Sequence, residues 1–202
     1  MNLVVLGASG RTGRLVVERA LAAGRAVTAL VRSPEKLTTV NPNLRLVTGE
    51  VTDTSAVARA LEGADAVIST LGGSGSVIAD STTAIVAAAR QTGVSRVVVL
   101  SSFFVERDRL DAVSRLLTGL AMGALIKDKG AGENALRQSD LDWTIVYASV
   151  LTDGPASGSV DVIPATAKRR MSDKISRADV AAWMVQAATG AQHSRSSVGI
   201  TG

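Results

Sequence analysis

The 202-residue chain has the length of one domain, and a domain of that size buries a core without disulfide or metal staples. Its composition is 46% hydrophobic with no cysteine, which excludes thiolate metal sites and disulfide frameworks and argues against disorder. A net charge of +4 and only two Trp, one Tyr and two Phe leave neither a basic stripe nor a stacking platform, so no nucleic-acid partner is expected.

Short Val- and Leu-rich runs alternate along the chain with segments of helical spacing, the pattern of an α/β fold with a mostly parallel, doubly wound sheet in three layers. Asn2–Leu6 reads as a first strand rather than a signal peptide, because no basic flank precedes it and the run breaks at Gly7. The loop GASGRTG follows at residues 7–13, and Thr12–Ala23 then carries Val16, Val17, Ala20 and Leu21 on one face before Gly24. Ala26–Val31 is the second strand. Arg32 comes directly after it, and Ser33-Pro34-Glu35 supplies an N-cap, a first-turn proline and a first-turn acid for a short helix. Further strands are expected at Leu44–Val47, Ala66–Ser69, Arg96–Leu100, Thr144–Tyr147 and Val198–Ile200, with a helix over Ser81–Arg90. None of the strands alternates cleanly, so the sheet is expected to be buried on both faces. Asp53 is expected as a helix-start acid, and the stretches Gly72–Gly75 and Gly154–Gly158 as loops at the active edge.

The longest apolar run, Leu116–Ile126, falls short of the roughly 20 residues of a membrane span, so no membrane partner is expected. Leu110, Val113, Leu116, Leu117 and Leu120 lie at helical spacing and read as a core helix, with a lid or a dimer interface as the other uses of such a face. Lys168-Arg169-Arg170 reads as a solvated charge run, and His193 is assigned no role. Without a linker or repeat, residues 1–202 form one domain, with a small substrate-side region at about 148–175.

The glycine loop sits between a strand and a helix, the context in which such a pattern binds a dinucleotide: the glycines let backbone approach the pyrophosphate, whose charge meets free N–H groups at the helix start. Gly7, Ser9, Gly10, Arg11, Thr12 and Gly13 are its candidate contacts. An NAD-preferring site carries an acid about 20 residues further on. Here Arg32 stands in that place with Ser33 and Lys36 nearby and Arg11 within reach, so NADP(H) is preferred over NAD(H).

The spacing G-x-x-G-x-x-G resembles the extended and atypical short-chain dehydrogenase/reductase superfamily. So do VTGEVTD at 47–53, STLGG at 69–73 and VVVLSS at 97–102. LDWTIVYASVLTDGP at 141–155 and ISRADVA at 175–181 are similar to segments of its NAD(P)H-binding subgroup, which includes biliverdin-IXβ/flavin reductase and NmrA-like proteins. The resemblance implies a Rossmann fold, adenine contacts from Glu50 and Val51, and ribose and pyrophosphate contacts from Thr70, Leu71 and Gly72. It also places Ser101 and Ser102 beside the nicotinamide, and Lys129 where the family's catalytic lysine belongs. Many members carry a tyrosine four residues before that lysine, and this chain has Leu125. The family's Arg-Pro-Gly is here Tyr147-Ala148-Ser149.

Tyr147 is therefore a candidate substitute acid, although a strand-end tyrosine more often packs with its hydroxyl at the surface. Without the usual phenol, an acceptor whose reduced form is already stabilised is favoured. The expected function is an NADPH-dependent oxidoreductase passing hydride to a small conjugated acceptor such as a flavin, quinone or tetrapyrrole, in a cytoplasmic monomer or homodimer. Phe103 and Phe104 would wall that acceptor or fill core. The alternative is a non-catalytic NADP(H) sensor of the NmrA-like type. Epimerase or dehydratase chemistry is disfavoured, since it generally needs the missing tyrosine.

Overall fold

The computed structural model describes residues 1–72, 76–164, 166–168 and 170–202, without the side chains of Val113 and Leu117. Five expected strands form within two residues of their expected bounds: β1 Asn2–Leu6, β2 Ala26–Val31, β3 Leu44–Thr48, β4 Ala66–Ser69 and β5 Arg96–Ser102. The sixth, β6, spans Asp142–Ala148, and the last, β10, spans Ser196–Thr201. Three short strands lie between them: β7 Val150–Thr152, β8 Asp161–Ile163 and β9 Lys174–Ser176. At three residues each, they are too short to show a period in sequence. Five α-helices complete the fold: α1 Arg11–Ala22, α2 Thr54–Leu61, α3 Val77–Thr92, α4 Ala112–Arg137 and α5 Arg177–Thr189.

The main sheet runs β3-β2-β1-β4-β5-β6-β10-β8, parallel throughout except that β8 pairs antiparallel with β10. After β3 the chain returns to the far side of β1, so the strand order reverses between β1 and β4. A crevice opens at the carboxyl ends of the strands at such a switch point. This is a Rossmann fold, and the glycine loop follows the strand at the reversal.

Each face of the sheet carries its own core. Leu3, Val5, Val98 and Val146 point toward Val16, Val17, Ala20, Val180 and Met184 of α1 and α5. Val4, Leu6, Val97 and Ile145 point the other way, toward Val57, Leu61, Ile85 and Leu136 of α2, α3 and α4. Two-sided burial holds for the central strands but fails at β3, where Arg45, Leu46 and Thr48 are exposed. β3 is an edge strand, flanked only by β2.

α4 departs from the expected core helix in its first half. Leu110 and Ile126 are buried, whereas Leu116 and Leu120 are 64% and 81% exposed. Val113 and Leu117 fall outside the described side chains. Most of its buried polar residues lie in the second half, Asp128, Glu133 and, just past the end, Ser139, with Thr118 buried in the first.

Candidate functional site

Gly7 turns the chain out of β1 with φ +81°, a left-handed conformation that favours glycine, and its carbonyl accepts the Gly10 N–H at 2.9 Å. Gly13 brings α1 onto this turn so closely that a Cβ there would lie 2.1 Å from the Gly7 carbonyl oxygen. A Cβ on Gly10 would meet only that same oxygen, at 3.2 Å, and otherwise face open space. Thr70, at the end of β4, ties the two strand ends together by donating its hydroxyl to the Leu6 carbonyl at 3.2 Å and to Gly7 at 3.4 Å.

The start of α1 has no side-chain cap and no acid in its first turn. By contrast Asp53 caps α2, Asp111 caps α4 and Ser176 caps α5. The α3 N-terminus is served from a distance by buried Asp128 of α4, which accepts the Ile78 and Ala79 N–H groups at 3.0 and 2.9 Å. Free donors and the positive end of the dipole therefore remain at α1 alone among the described α-helices, in a backbone cradle that any side chain on Gly10 would enter. That donor set suits a pyrophosphate.

Around this loop the sequence-assigned residues separate. Arg32 and Glu50 are exposed, Ser33 and Val51 half-buried. Arg32 pairs with no described side chain, and the Ser33 hydroxyl makes no cap hydrogen bond. Arg11 is not placed with them: its guanidinium bonds Asp153, which also pairs Arg177 at 2.9 Å. The residue that reaches the β2 corner is Arg14, whose guanidinium donates to the Lys36 carbonyl at 2.6 Å. Leu71 is half-buried and Gly72 exposed beyond β4, and the remainder of the expected loop, 73–75, lies outside the described residues.

At the other end of the crevice, β5 carries Ser101 into the sheet interior and leaves Ser102 half-buried. Ser101 faces α4 and donates its hydroxyl to Glu133 Oε1 at 2.6 Å. The other carboxylate oxygen takes the Tyr147 hydroxyl and, at 3.1 Å, the Arg137 guanidinium, which also donates to the Tyr147 oxygen at 2.7 Å. Glu133 is 4% exposed. Tyr147 is buried too, at 3% exposure, so its hydroxyl is inside the molecule, not at its surface. Burial first, and then the neighbouring Glu133 carboxylate, push the Tyr147 phenol above its ordinary range. Its hydroxyl already donates to a carboxylate, and the upward shift makes the phenol a weaker acid than an ordinary tyrosine.

Lys129 lies one turn before Glu133, with Nζ 3.4 Å from the Leu100 carbonyl. Burial lowers its ammonium pKa, and Glu133 and Asp128 oppose that shift. Phe103 fills core at 1% exposure, and Phe104 rests against it with ring centroids 4.2 Å apart. His193 is half-buried near Trp183, its ring centroid 5.3 Å from the indole, while Lys168 and Arg170 are exposed and Arg169 lies outside the described residues. A recess of about 1070 Å³ runs along the outside of α1 and α5, lined by Leu15, Arg19 and Trp183, and it includes no residue of the glycine loop. Among the described residues, no group of acids and histidines could hold a metal ion. No helix among them is long and apolar enough to cross a membrane.

A family model described as NAD(P)H-binding matches residues 7–190. The chain belongs to this NAD(P)H-binding family. A (4-alkanoyl-5-oxo-2,5-dihydrofuran-3-yl)methyl phosphate reductase of Streptomyces griseus is 31% identical over 210 residues, covering 99% of this chain and 67% of that protein. An uncharacterised chloroplastic protein of Arabidopsis thaliana is 31% identical over 188 residues, covering 81% of this chain and 64% of that protein, so the chain spans about two thirds of the length of these two relatives. Among solved structures, ChuY, an anaerobilin reductase of Escherichia coli O157:H7, superposes with a TM-score of 0.84 at 26% identity, covering 100% of this chain and 97% of that one. A short-chain dehydrogenase/reductase of Veillonella parvula in complex with NADP has a TM-score of 0.84 at 19% identity, covering 100% and 94%.

The NAD(P)H-binding signatures acquire physical roles in this light. In VTGEVTD, Gly49 allows α2 to pack, because a Cβ there would lie 2.6 Å from the Ala56 Cβ. In ISRADVA, Ser176 and Asp179 form a reciprocal cap, with the Ser176 oxygen accepting the Asp179 N–H at 3.0 Å. In LTDGP, Asp153 bridges to Arg11 in the glycine loop. Sequence reasoning missed Glu133, Arg137, Asp128 and Arg14. The i,i+4 spacing of Lys129 and Glu133 was a usable signal for the first, whereas the contacts of Asp128 and Arg14 depend on helix placement.

Proposed function

We propose that the protein is an NADPH-dependent reductase delivering hydride to a small conjugated acceptor. The observation that carries this reading is an open, uncapped glycine-loop cradle on the same crevice as a reacting end whose one phenol, Tyr147, is already committed to Glu133. The bound nicotinamide supplies the hydride. The chain's residues would do the rest: the α1 N–H groups would take the pyrophosphate, and Arg32 with the unengaged Ser33 hydroxyl would hold a 2′-phosphate. Ser102 and the Lys129 ammonium flank the reacting end. An acceptor stabilised by conjugation needs orientation more than a strong acid, and this arrangement offers orientation. The reductase activities named for the Streptomyces relative and for ChuY support an oxidoreductase.

The test is oxidation of NADPH, followed by loss of its absorbance, with a panel of flavins, quinones, tetrapyrroles and unsaturated lactones. Turnover of at least one acceptor is expected, with NADPH preferred over NADH. Tight NADPH binding without turnover of any acceptor would replace the reductase by a dinucleotide sensor.

A further inference from the structure

Glu133 is a carboxylate held almost wholly out of water, and burying a charge is costly unless it is paired and hydrogen-bonded. Three side chains from three elements meet that need: Ser101 of β5, Tyr147 of β6 and Arg137 of α4 itself. Ser101 and Tyr147 are direct partners in the β5–β6 register, so the carboxylate clamps both strands at their carboxyl ends. Lys129 stands one helical turn earlier on the same side, its Nζ against the carbonyl of Leu100, the residue before Ser101.

We propose that Glu133 is a positioning residue: through Ser101 it fixes the end of β5 at the reacting site, and its charge keeps the neighbouring Lys129 ammonium protonated. This rests on the reductase reading for its catalytic consequence but not for its electrostatics. The groups facing Lys129 are few. Asp128 and Glu133 share its helix, the Leu100 carbonyl and Ser101 hydroxyl come from β5, and Thr82 of α3 lines the same small recess. Tyr147 and Arg137 reach it only through Glu133. The Asp128 charge is already shared with two N–H groups of α3. Glu133 is thus the counter-charge that can be altered without uncapping a helix.

An opposite charge raises an ammonium pKa, and the Glu133 carboxylate acts on Lys129 in that sense from one helical turn away. Glu133→Gln should therefore shift the alkaline limb of the pH–rate profile about one unit or more toward neutral, with NADPH affinity at pH 6 little changed. Arg137→Gln keeps the Glu133 carboxylate and removes a group that meets Lys129 only through it, so the limb should move far less than in Glu133→Gln. Glu133→Asp keeps a carboxylate at the same helix position and should restore most of the wild-type limb. In parallel, the holoprotein with 13C-methylated lysines, the Lys129 signal assigned through Lys129→Arg, should show the same shifts by NMR titration. A shift in Glu133→Gln that Arg137→Gln does not share and Glu133→Asp largely reverses supports the proposal. If Glu133→Gln does not fold, the smaller shift toward neutral in Glu133→Asp, whose shorter side chain draws the charge back from Lys129, decides. A limb and a Lys129 titration unmoved in every folded variant would overturn it and leave Glu133 as packing alone. NMR shifts as expected without turnover of any acceptor would instead sink the reductase reading while upholding the electrostatic one.

Discussion

At the scale of single residues, the glycines of the loop divide into two kinds. Gly13 is required by packing, since its Cβ would overlap the Gly7 carbonyl, whereas Gly10 borders open space. Gly13→Ala should therefore lose fold and cofactor together. Gly10→Val should keep its circular-dichroism spectrum and thermal transition yet fail to bind dinucleotide by calorimetry, and a Gly10→Val protein with wild-type affinity would refute the cradle. Arg32 makes a second case. Charge-assisted hydrogen bonds contribute on the order of 1.5–3 kcal/mol each, and about 1.4 kcal/mol is tenfold in affinity. Arg32→Ala is expected to weaken NADPH binding by roughly ten- to a hundredfold and NADH binding hardly at all. Added salt should blunt the wild-type preference, because the guanidinium is exposed. Equal losses for both dinucleotides would return Arg32 to the solvated surface. Arg11 is a poorer target, because its pair with Asp153 is exposed on both sides and such pairs contribute little.

At the scale of elements, the start of α5 organises the segment after β7. Asp179 is 2% exposed and accepts from Ser157 N and Oγ at 2.9 and 3.0 Å, Gly158 N at 3.1 Å and Ser176 Oγ at 2.8 Å. Burial acts to raise its pKa, but the donors of Ser157, Ser176 and Gly158 outweigh it and hold the carboxyl below its ordinary value. A depressed carboxyl contributes stability above its unfolded pKa of about 3.9, and that contribution disappears as pH falls through the lower folded value. Asp179→Asn should accordingly cost about 1.5–3 kcal/mol at pH 7. Urea denaturation should show the difference from wild type shrinking below about pH 4, and a constant difference down to pH 3 would contradict the assigned role. α4 shows a different division: its second half grips α3, β5 and β6 through Asp128 and Glu133, while its first half presents Leu116 and Leu120 to solvent. Apolar spacing alone predicts a helix face, and only the neighbouring elements decide whether anything covers it.

At the scale of the whole molecule, cofactor binding and folding are linked because the glycine loop joins β1, α1 and, through Thr70, β4. A ligand at 100 times its Kd stabilises the folded state by about 2.7 kcal/mol, or about 5–11 °C in Tm for a domain of this size. NADPH should produce such a rise by calorimetry, and no change at saturating NADPH would argue against binding to the native state. The order of strand, glycine loop and helix was legible in the sequence because its chemistry is contiguous: β1, Gly7, Gly10, Gly13 and α1 occupy the first 22 residues. The buried central strands were legible for a similar reason, since a parallel strand covered on both faces is a Val/Leu run whatever it pairs with. Local sequence does not say which face of β6 holds Tyr147, nor that strand order sets β6 beside β5 with α4 across both. The tertiary structure alone therefore buried that hydroxyl and brought Ser101 to Glu133, 32 positions away in the chain, and Arg11 to Asp153, 142 positions away. Propensity and capping act over a few residues, whereas the partners of a buried charge are chosen by how strands and helices stack.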